Sequence, residues 1–142
     1  MIEWTLQIHD RPDGSIPYQI FRERLDSYTL AILDICVEEV LARQGNNVCN
    51  SSWGKSLGDG FYEFRISKSI AAICNEANVP IPKFPNAKKS TLLRVFFAVE
   101  GSKIIVLLCA YDKGKDSGER RQQREIVRAR KYLQEHKANN DS

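Results

Sequence analysis

Basic side chains occur where strands of the folded chain would hold them among apolar neighbours. Arg65 stands in FYEFRIS, Arg94 in LLRVFF, and Lys113 and Lys115 follow Tyr111 in AYDKGKDS. An arginine within an apolar strand needs a carboxylate partner or an anionic ligand, because an isolated buried charge is costly. These residues are therefore candidates for a site that binds a ligand.

Each of these residues also has an ordinary structural interpretation. Arg65 can form an ion pair with Glu63 or Glu100, and the two lysines can be solvated residues on either side of Gly114. Tyr111 can be a packing aromatic. The relative position of the strands bears on this choice, because the two arginines and Tyr111 lie in separate predicted strand segments that can be neighbours in one sheet. We expect these strands to be adjacent and the three side chains to share one positive face.

Other catalytic patterns do not occur in the sequence. His9 and His136 lie near opposite ends of the chain, and there is no GxSxG, HExxH or paired-carboxylate pattern. The WGKS segment at 53–56 is similar to the end of a P-loop, but Cys49 occupies the position where that motif needs glycine. We therefore expect neither a zinc or serine hydrolase nor a P-loop protein, and we predict no cofactor and no metal.

The cysteines and the first residues bear on the compartment. The four cysteines lie 13, 25 and 35 positions apart, which matches no zinc or redox spacing, so we expect buried thiols at Cys36, Cys49, Cys74 and Cys109. The first ten residues include two acidic side chains and no basic start before an apolar stretch. No apolar run is long enough to cross a membrane. These features predict a cytoplasmic protein.

Charge is distributed unevenly along the 142 residues. The first fifty carry eight Asp and Glu against four Lys and Arg, whereas the last 42 carry ten Lys and Arg against six acidic residues. The net charge is only +3. A basic face that meets phosphates is compatible with this pattern, although the net charge alone does not establish it.

Periodicity and turn residues predict an α+β domain. We expect an antiparallel sheet of three to four strands with two N-terminal helices and a C-terminal helix packed against it. The predicted strands are 3–9, 61–67, 92–99 and 104–110, with the last two forming a hairpin. The predicted helices are 17–24, a longer one capped by Asp26 or Ser27 and closed by Gly45, 69–77 and 120–136. Segments 46–60 and 79–90 are expected to be loops, the latter because of its prolines.

The order of these segments resembles that of phage-derived toxins of the RelE, HigB and ParE superfamily, from type II toxin-antitoxin systems. The matching segments are WTLQIHDRPDGSIPYQIFRERL, WGKSLGDGFYEFRIS, LLRVFFAVEGSKIIVLLCAYDKGKD and QQREIVRARKYL. They contain a K-x-L-G-x-G-x-[YW]-E-x-R-like block, an R-V-F-F strand, a Y-x-K-x-K-like block and an E-I-x-x-A helix, in that order. The resemblance implies one toxin domain over 1–136, with an insertion near 70–90. The polar residues 137–142 predict a disordered tail.

The resemblance also implies an activity and partners. Such a toxin is a metal-independent mRNA interferase, which enters the ribosomal decoding site and cleaves mRNA, and a cognate antitoxin of helix-turn-helix type blocks it. Arg65 and Arg94 would then bind the phosphate, Lys113 and Lys115 would transfer protons, and Tyr111 would stack on a base or orient the nucleotide.

Two other functions stay open from the sequence. A ParE-like inhibitor of DNA gyrase would have the same scaffold without nuclease chemistry, and a non-catalytic phage or prophage protein would only bind a partner through the basic helix. Fold does not separate these functions, because unrelated activities share folds.

Overall fold

The computed structural model describes residues 4–81, 83 and 86–141. This part of the chain forms an α+β fold with one sheet and helices against both of its faces. The strands are β1 Thr5–Ile8, β2 Gly54–Gly58, β3 Phe61–Lys68, β4 Thr91–Glu100 and β5 Ile104–Asp112. The α-helices are α1 Pro17–Glu23, α2 Ser27–Cys36, α3 Ala42–Gln44, α4 Ile70–Ala77 and α5 Glu119–Asp141.

The sheet is mixed and has the strand order β1-β5-β4-β3-β2. The pairs β2–β3, β3–β4 and β4–β5 are antiparallel, whereas β1 runs parallel to β5, with Thr5 opposite Ile104 and Ile8 opposite Leu107. The prediction of an α+β fold is confirmed, but that of an antiparallel sheet of three to four strands is wrong. One strand is parallel, and β2 is a fifth strand in a segment predicted to be a loop.

β2 lacks the alternation of a half-buried strand because it lies at the edge of the sheet. Lys55, Ser56 and Gly58 are exposed, and Leu57 is only partly buried against the sheet. The tight connection to β3 depends on left-handed backbone at Gly58, Asp59 and Gly60. An apolar period therefore could not identify this strand.

The two faces of the sheet bury separate apolar clusters. One cluster lies on the side of α2, and its fully buried members include Leu33, Phe64, Val95 and Ile105. The other lies on the side of α5, and its members include Phe61, Phe96, Ala129 and Leu133. The predicted apolar stripe of the C-terminal helix thus packs on the sheet and leaves most of its arginines at the surface or over the strand ends.

The long helical segment begins and ends where the sequence predicts. The Asp26 side chain accepts a hydrogen bond from the Thr29 amide at 2.7 Å and caps α2. A π-helical turn at Val37–Leu41 joins α2 to α3. The α-helical part ends at Gly45, whose φ of +57° and ψ of −137° suit glycine. A 3-10 helix follows at Gly45–Asn50, in the segment predicted to be a loop.

The remaining predictions agree with the structure within two residues for α1, α4, β3 and the β4–β5 hairpin. α5 continues past the predicted end at His136 to Asp141, so most of the predicted polar tail 137–142 is helical. The described residues of segment 79–90 belong to no helix or strand. Pro82 and Pro85, on which that loop prediction partly rests, lie outside the described residues, as do Glu3 and Ser142.

Three of the four cysteines are buried and one is partly buried, and all four are free thiols. Burial raises the pKa of Cys36 and of Cys109 to about 12. Both thiols therefore stay protonated near neutral pH and pack as small apolar groups. None of the helices in the described part of the chain combines the length and the apolar character needed to cross a bilayer.

Candidate functional site

Three of the predicted site residues form a row across the sheet. Arg65 on β3 lies directly opposite Arg94 on β4, which in turn lies directly opposite Tyr111 on β5. Residues that are direct cross-strand neighbours point to the same face of a sheet. The predicted adjacency of these three residues is therefore confirmed, and the face they share is the one against which α5 packs.

A buried carboxylate holds the two arginines. Glu63 is completely buried, and its Oε1 accepts a hydrogen bond from Arg65 Nε at 2.7 Å. The same oxygen lies 4.0 Å from Arg94 Nε. Of the two pairings open for Arg65 from the sequence, the structure contains the one with Glu63. One carboxylate thus offsets two neighbouring guanidinium groups, which would otherwise repel each other across the strands.

Arg94 is the less accessible of the two arginines. Only 7% of Arg94 is exposed, whereas 32% of the Arg65 side chain is. Arg94 donates from Nη1 to the Leu93 carbonyl at 3.0 Å, but within the described residues its Nε has no hydrogen-bond partner. Burial lowers the pKa of Arg94, although a guanidinium remains protonated in proteins. Arg65 is therefore the arginine that an incoming phosphate can reach first.

Tyr111 lies under the first turns of α5. Its ring stacks on Phe96 with centroids 6.0 Å apart, the Arg121 guanidinium lies 5.3 Å from its centroid, and only 2% of the residue is exposed. Stacking of a base on this ring would require the contact with Arg121 to open. The hydroxyl is buried without a partner among the described residues. Burial, and then the charge of Glu63, raise the pKa of Tyr111, so the hydroxyl remains a donor.

α5 adds a second buried carboxylate with two more arginines. Glu125 is 6% exposed, and its Oε1 accepts from Arg121 Nε at 3.2 Å and lies 3.7 Å from Arg128 Nη1. Its Oε2 has no partner among the described residues. Arg128 also donates from Nε to the Tyr132 hydroxyl at 2.9 Å. Asp116 Oδ2 also lies 3.7 Å from Arg121 Nη1, so three carboxylates face four guanidinium groups around Tyr111. One positive charge is thus left in excess for an anionic ligand.

The two predicted lysines lie in the turn after β5 and not in the row. The amides of Lys113 and Gly114 both donate to the Leu92 carbonyl, at 2.8 and 3.2 Å, which fixes the turn to the start of β4. Lys113 is half-buried and Lys115 is exposed. Lys115 lines a pocket together with Tyr111. The structure thus brings Lys115 near one end of the row, and the roles of both lysines stay predictions.

A pocket of about 230 Å³ opens beside Tyr111, between α1 and α5. Four basic residues line it, and they are Arg24, Lys115, Arg121 and Arg128. Sequence reasoning did not identify Arg24, Arg121, Glu125 or Arg128 as site residues. The spacing of Glu125 from Arg121 and Arg128 was a usable signal, because residues four and three apart share a helix face. Arg24 carried no such signal, since its proximity depends on how α1 packs against β5.

In the described part of the chain, no three His, Cys, Asp or Glu side chains converge in a way that would hold a metal ion. His9 and His136 lie with their rings 5.8 Å apart, beside Glu135 and Glu100 and not in the arginine cluster. The chain matches no family model, no curated protein and no solved structure.

Proposed function

We propose that the protein is the toxin of a type II toxin-antitoxin pair and that it cleaves mRNA on the ribosome without a metal. The observation that carries the proposal is the in-register row of Arg65, Arg94 and Tyr111, with the arginines of α5 next to it. This group of donors supports phosphate binding more directly than any other feature of the described residues. The same proposal implies mRNA, the ribosome and an antitoxin as partners.

Metal-free RNA cleavage places three demands on a protein. The 2′-hydroxyl must lose its proton as it attacks the adjacent phosphate, the negative charge that develops on the phosphoryl oxygens must be stabilised, and the leaving 5′-oxygen must gain a proton. Guanidinium groups meet the second demand because they donate two hydrogen bonds to phosphate oxygens at fixed geometry.

Arg65 is the group that we assign to the phosphate. Its hydrogen bond to Glu63 uses Nε and fixes the side chain at the rim of the row. The two Nη nitrogens then serve as phosphate donors. Arg94, buried behind it, adds positive charge that is not screened by water, and it stabilises the same phosphate as the charge develops. Arg94 is thus a positioning and electrostatic residue on this proposal.

Proton transfer is assigned to the turn after β5 and to Tyr111. Lys115 lines the pocket beside Tyr111 at the β5 end of the row, and Lys113 lies two residues before it in the same turn. We assign to these two lysines the exchange of protons with the attacking and leaving oxygens. The Tyr111 hydroxyl has no partner among the described residues and can donate to a phosphoryl oxygen that enters the site. Which lysine acts as the acid and which as the base depends on how the RNA lies in the site.

The test is controlled expression of the chain in bacteria, with incorporation of labelled amino acids and of labelled thymidine followed in parallel. We expect growth arrest in which amino-acid incorporation falls first. Arg65→Ala should abolish the arrest, whereas Arg43→Ala should not, because Arg43 only forms an exposed pair with Glu39 at 2.6 Å. Early loss of thymidine incorporation with translation intact would instead support gyrase inhibition, and growth without arrest would support the non-catalytic alternative.

A further inference from the structure

The pocket beside Tyr111 lies on an open edge of the sheet. β1 pairs with β5 only as far as Leu107, so β5 has no strand on that side from Leu108 onward in the described residues. The pocket lies against Cys109, Ala110 and Tyr111 in this unpaired part. A strand edge of this kind presents peptide N–H and C=O groups that a ligand can bind.

The two walls of the pocket differ in chemistry. On the α1 side, the pocket is lined by the apolar residues Pro17, Ile20 and Phe21 of the helix and by Leu25 shortly after it, with Arg24 at the edge. Ile20 is 38% exposed, so part of this apolar wall is open to a ligand. The opposite wall and the rim carry the four basic side chains, against one carboxylate, that of Asp112.

The basic wall is held in place before any ligand binds. Glu125 binds Arg121 and lies within ion-pair distance of Arg128, and the two arginines lie two turns apart on α5 with Glu125 between them. Arg24 and Lys115 are exposed at the rim. Binding of an anion here does not require the arginines to be ordered first, which lowers the entropic cost of association.

We infer that this pocket binds one nucleotide of the RNA strand, with the base against the apolar wall of α1 and a phosphate on the basic wall. The inference rests on the proposed function and specifies how the substrate strand lies next to the row. Tyr111 belongs to both the row and the pocket, so the bound nucleotide is the neighbour of the phosphate at Arg65.

Size and surface chemistry favour a nucleotide over other anions. The volume of about 230 Å³ is below the range of about 300 Å³ and more that holds drug-sized ligands, and it suits a single base with part of its sugar phosphate. An inorganic anion would leave the apolar wall exposed. Proteins bind single-stranded RNA by placing splayed bases on apolar, aromatic or guanidinium surfaces, and the peptide groups of β5 can bind the edge of the base.

The experiment is a titration of the isotopically labelled full chain, followed by NMR at backbone amides and arginine Nε–H groups. The probes are adenosine 5′-monophosphate, inorganic phosphate, and a single-stranded RNA hexamer with 2′-O-methyl groups that prevent cleavage. We expect adenosine 5′-monophosphate to shift the signals of residues 109–112 and 121, with a dissociation constant at least tenfold below that of inorganic phosphate. The hexamer should shift the same signals and, in addition, that of Arg65.

Two matched pairs of variants complete the test. Ile20→Glu should weaken binding of adenosine 5′-monophosphate at least tenfold, whereas Val127→Glu should not, because Val127 is 67% exposed on α5 and does not line the pocket. Arg24→Gln should weaken all three probes, and Arg43→Gln should weaken none. Thermal melts of each variant serve as the control for an intact fold.

The outcomes separate this inference from the proposed function, because binding is measured without translation or cleavage. Equal affinity for adenosine 5′-monophosphate and inorganic phosphate would overturn the inference, as would unchanged binding by Ile20→Glu or shifts confined to residues outside the pocket. Binding as expected, in a protein that leaves translation intact in cells, would refute the proposed reaction and keep the nucleotide site.

Discussion

Glu63 is the residue on which the arrangement of the site depends most. It has no exposed surface, its Oε1 pairs with Arg65 at 2.7 Å, and the same oxygen lies 4.0 Å from Arg94 Nε. Two arginines in direct cross-strand positions would otherwise bring like charges together. The carboxylate therefore stabilises the sheet and, at the same time, fixes the guanidinium that is assigned to the phosphate.

Glu63→Gln tests this role at the level of stability. The substitution keeps the shape of the side chain but leaves two guanidinium groups without their common counter-charge. We expect the free energy of unfolding to fall by about 3 kcal/mol, the lower end of the range for breaking a buried pair, because Arg65 is partly solvated. Urea denaturation measures it. Glu39→Gln, in the exposed pair with Arg43, should change stability by no more than about 0.5 kcal/mol, and an equal effect of the two would contradict the role of Glu63.

Tyr111→Phe separates the hydroxyl from the ring. The hydroxyl has no partner among the described residues, so its removal takes away a buried polar group without breaking a hydrogen bond. We expect stability to stay within about 1 kcal/mol of wild type or to rise. If the hydroxyl donates to the phosphate during cleavage, the cleavage rate should fall by about a hundredfold, as for other lost transition-state donors. Thermal melts and cleavage assays on the same preparation measure the two effects. Unchanged cleavage would show that the hydroxyl takes no part in the reaction.

Among the elements, α5 determines most of the site, and contacts near both of its ends attach it to the sheet. Near its start, Arg121 lies over Tyr111. Near its end, Glu135 accepts hydrogen bonds from Arg11 Nε at 3.2 Å and Arg11 Nη2 at 3.0 Å, next to the buried His9. Arg11 follows β1, so this contact joins the helix to the edge of the sheet.

The contact between Glu135 and Arg11 predicts a dependence of stability on pH. The hydrogen bond from Arg11, and then that from His9, hold the pKa of Glu135 below its ordinary value of 4.5. A lowered carboxyl pKa stabilises the fold above 4.5, and this contribution is lost as the pH falls through the lower folded-state value. We expect Glu135→Gln to be less stable than wild type at pH 7, with the difference shrinking below pH 4.5. Urea denaturation across this range measures it, and a constant difference would refute the linkage.

Gly45, which ends the helical segment before β2, allows a sharper test of local structure. A Cβ at Gly45 would lie 2.2 Å from Trp4 Cε2, and the residue also has a positive φ. Gly14 has a positive φ of +86° as well, but a Cβ there meets nothing within 4 Å. Strained backbone alone costs about 1–3 kcal/mol, so Gly14→Ala isolates this cost. We expect Gly45→Ala to be at least about 2 kcal/mol less stable than Gly14→Ala, because the clash with Trp4 is added. Equal melting of the two variants would contradict this packing.

Sequence patterns gave local features of the elements correctly and missed those that depend on how elements pack. The Asp26 cap, the glycine at 45 and the alternation of β3 to β5 are local features. The predicted strands, placed side by side, also gave the row of Arg65, Arg94 and Tyr111. The parallel pairing of β1 with β5 joins segments about a hundred residues apart, and no periodicity reveals it. Glu125 belongs to the site because α5 packs over Tyr111, which no local pattern predicts. The same packing buries the Tyr111 ring, for which the sequence suggested base stacking.

At the scale of the whole molecule, the charge gradient of the sequence corresponds to a basic site at one end of the sheet. The carboxyl end of β5, the turn that follows it and the first turns of α5 bring together basic side chains that are far apart in the sequence, and α1 adds the apolar wall beside them. The acidic N-terminal part contributes Arg24 but no carboxylate to the lining of this pocket. On the proposed function, an mRNA strand meets positive charge and an apolar surface at the same place.

The most direct measurement of the central claim is primer extension on mRNA in a ribosome-programmed translation reaction with purified protein. Wild type should produce new mRNA ends within the translated region. Arg65→Ala and a Lys113→Ala, Lys115→Ala double variant should each reduce cleavage by about a hundredfold, because each removes positive charge that stabilises the transition state. Lys137→Ala should cleave like wild type, because Lys137 is exposed near the end of α5. Intact mRNA with the wild-type protein, or equal cleavage by a well-folded Arg65→Ala variant, would contradict the assignment of this site to RNA cleavage.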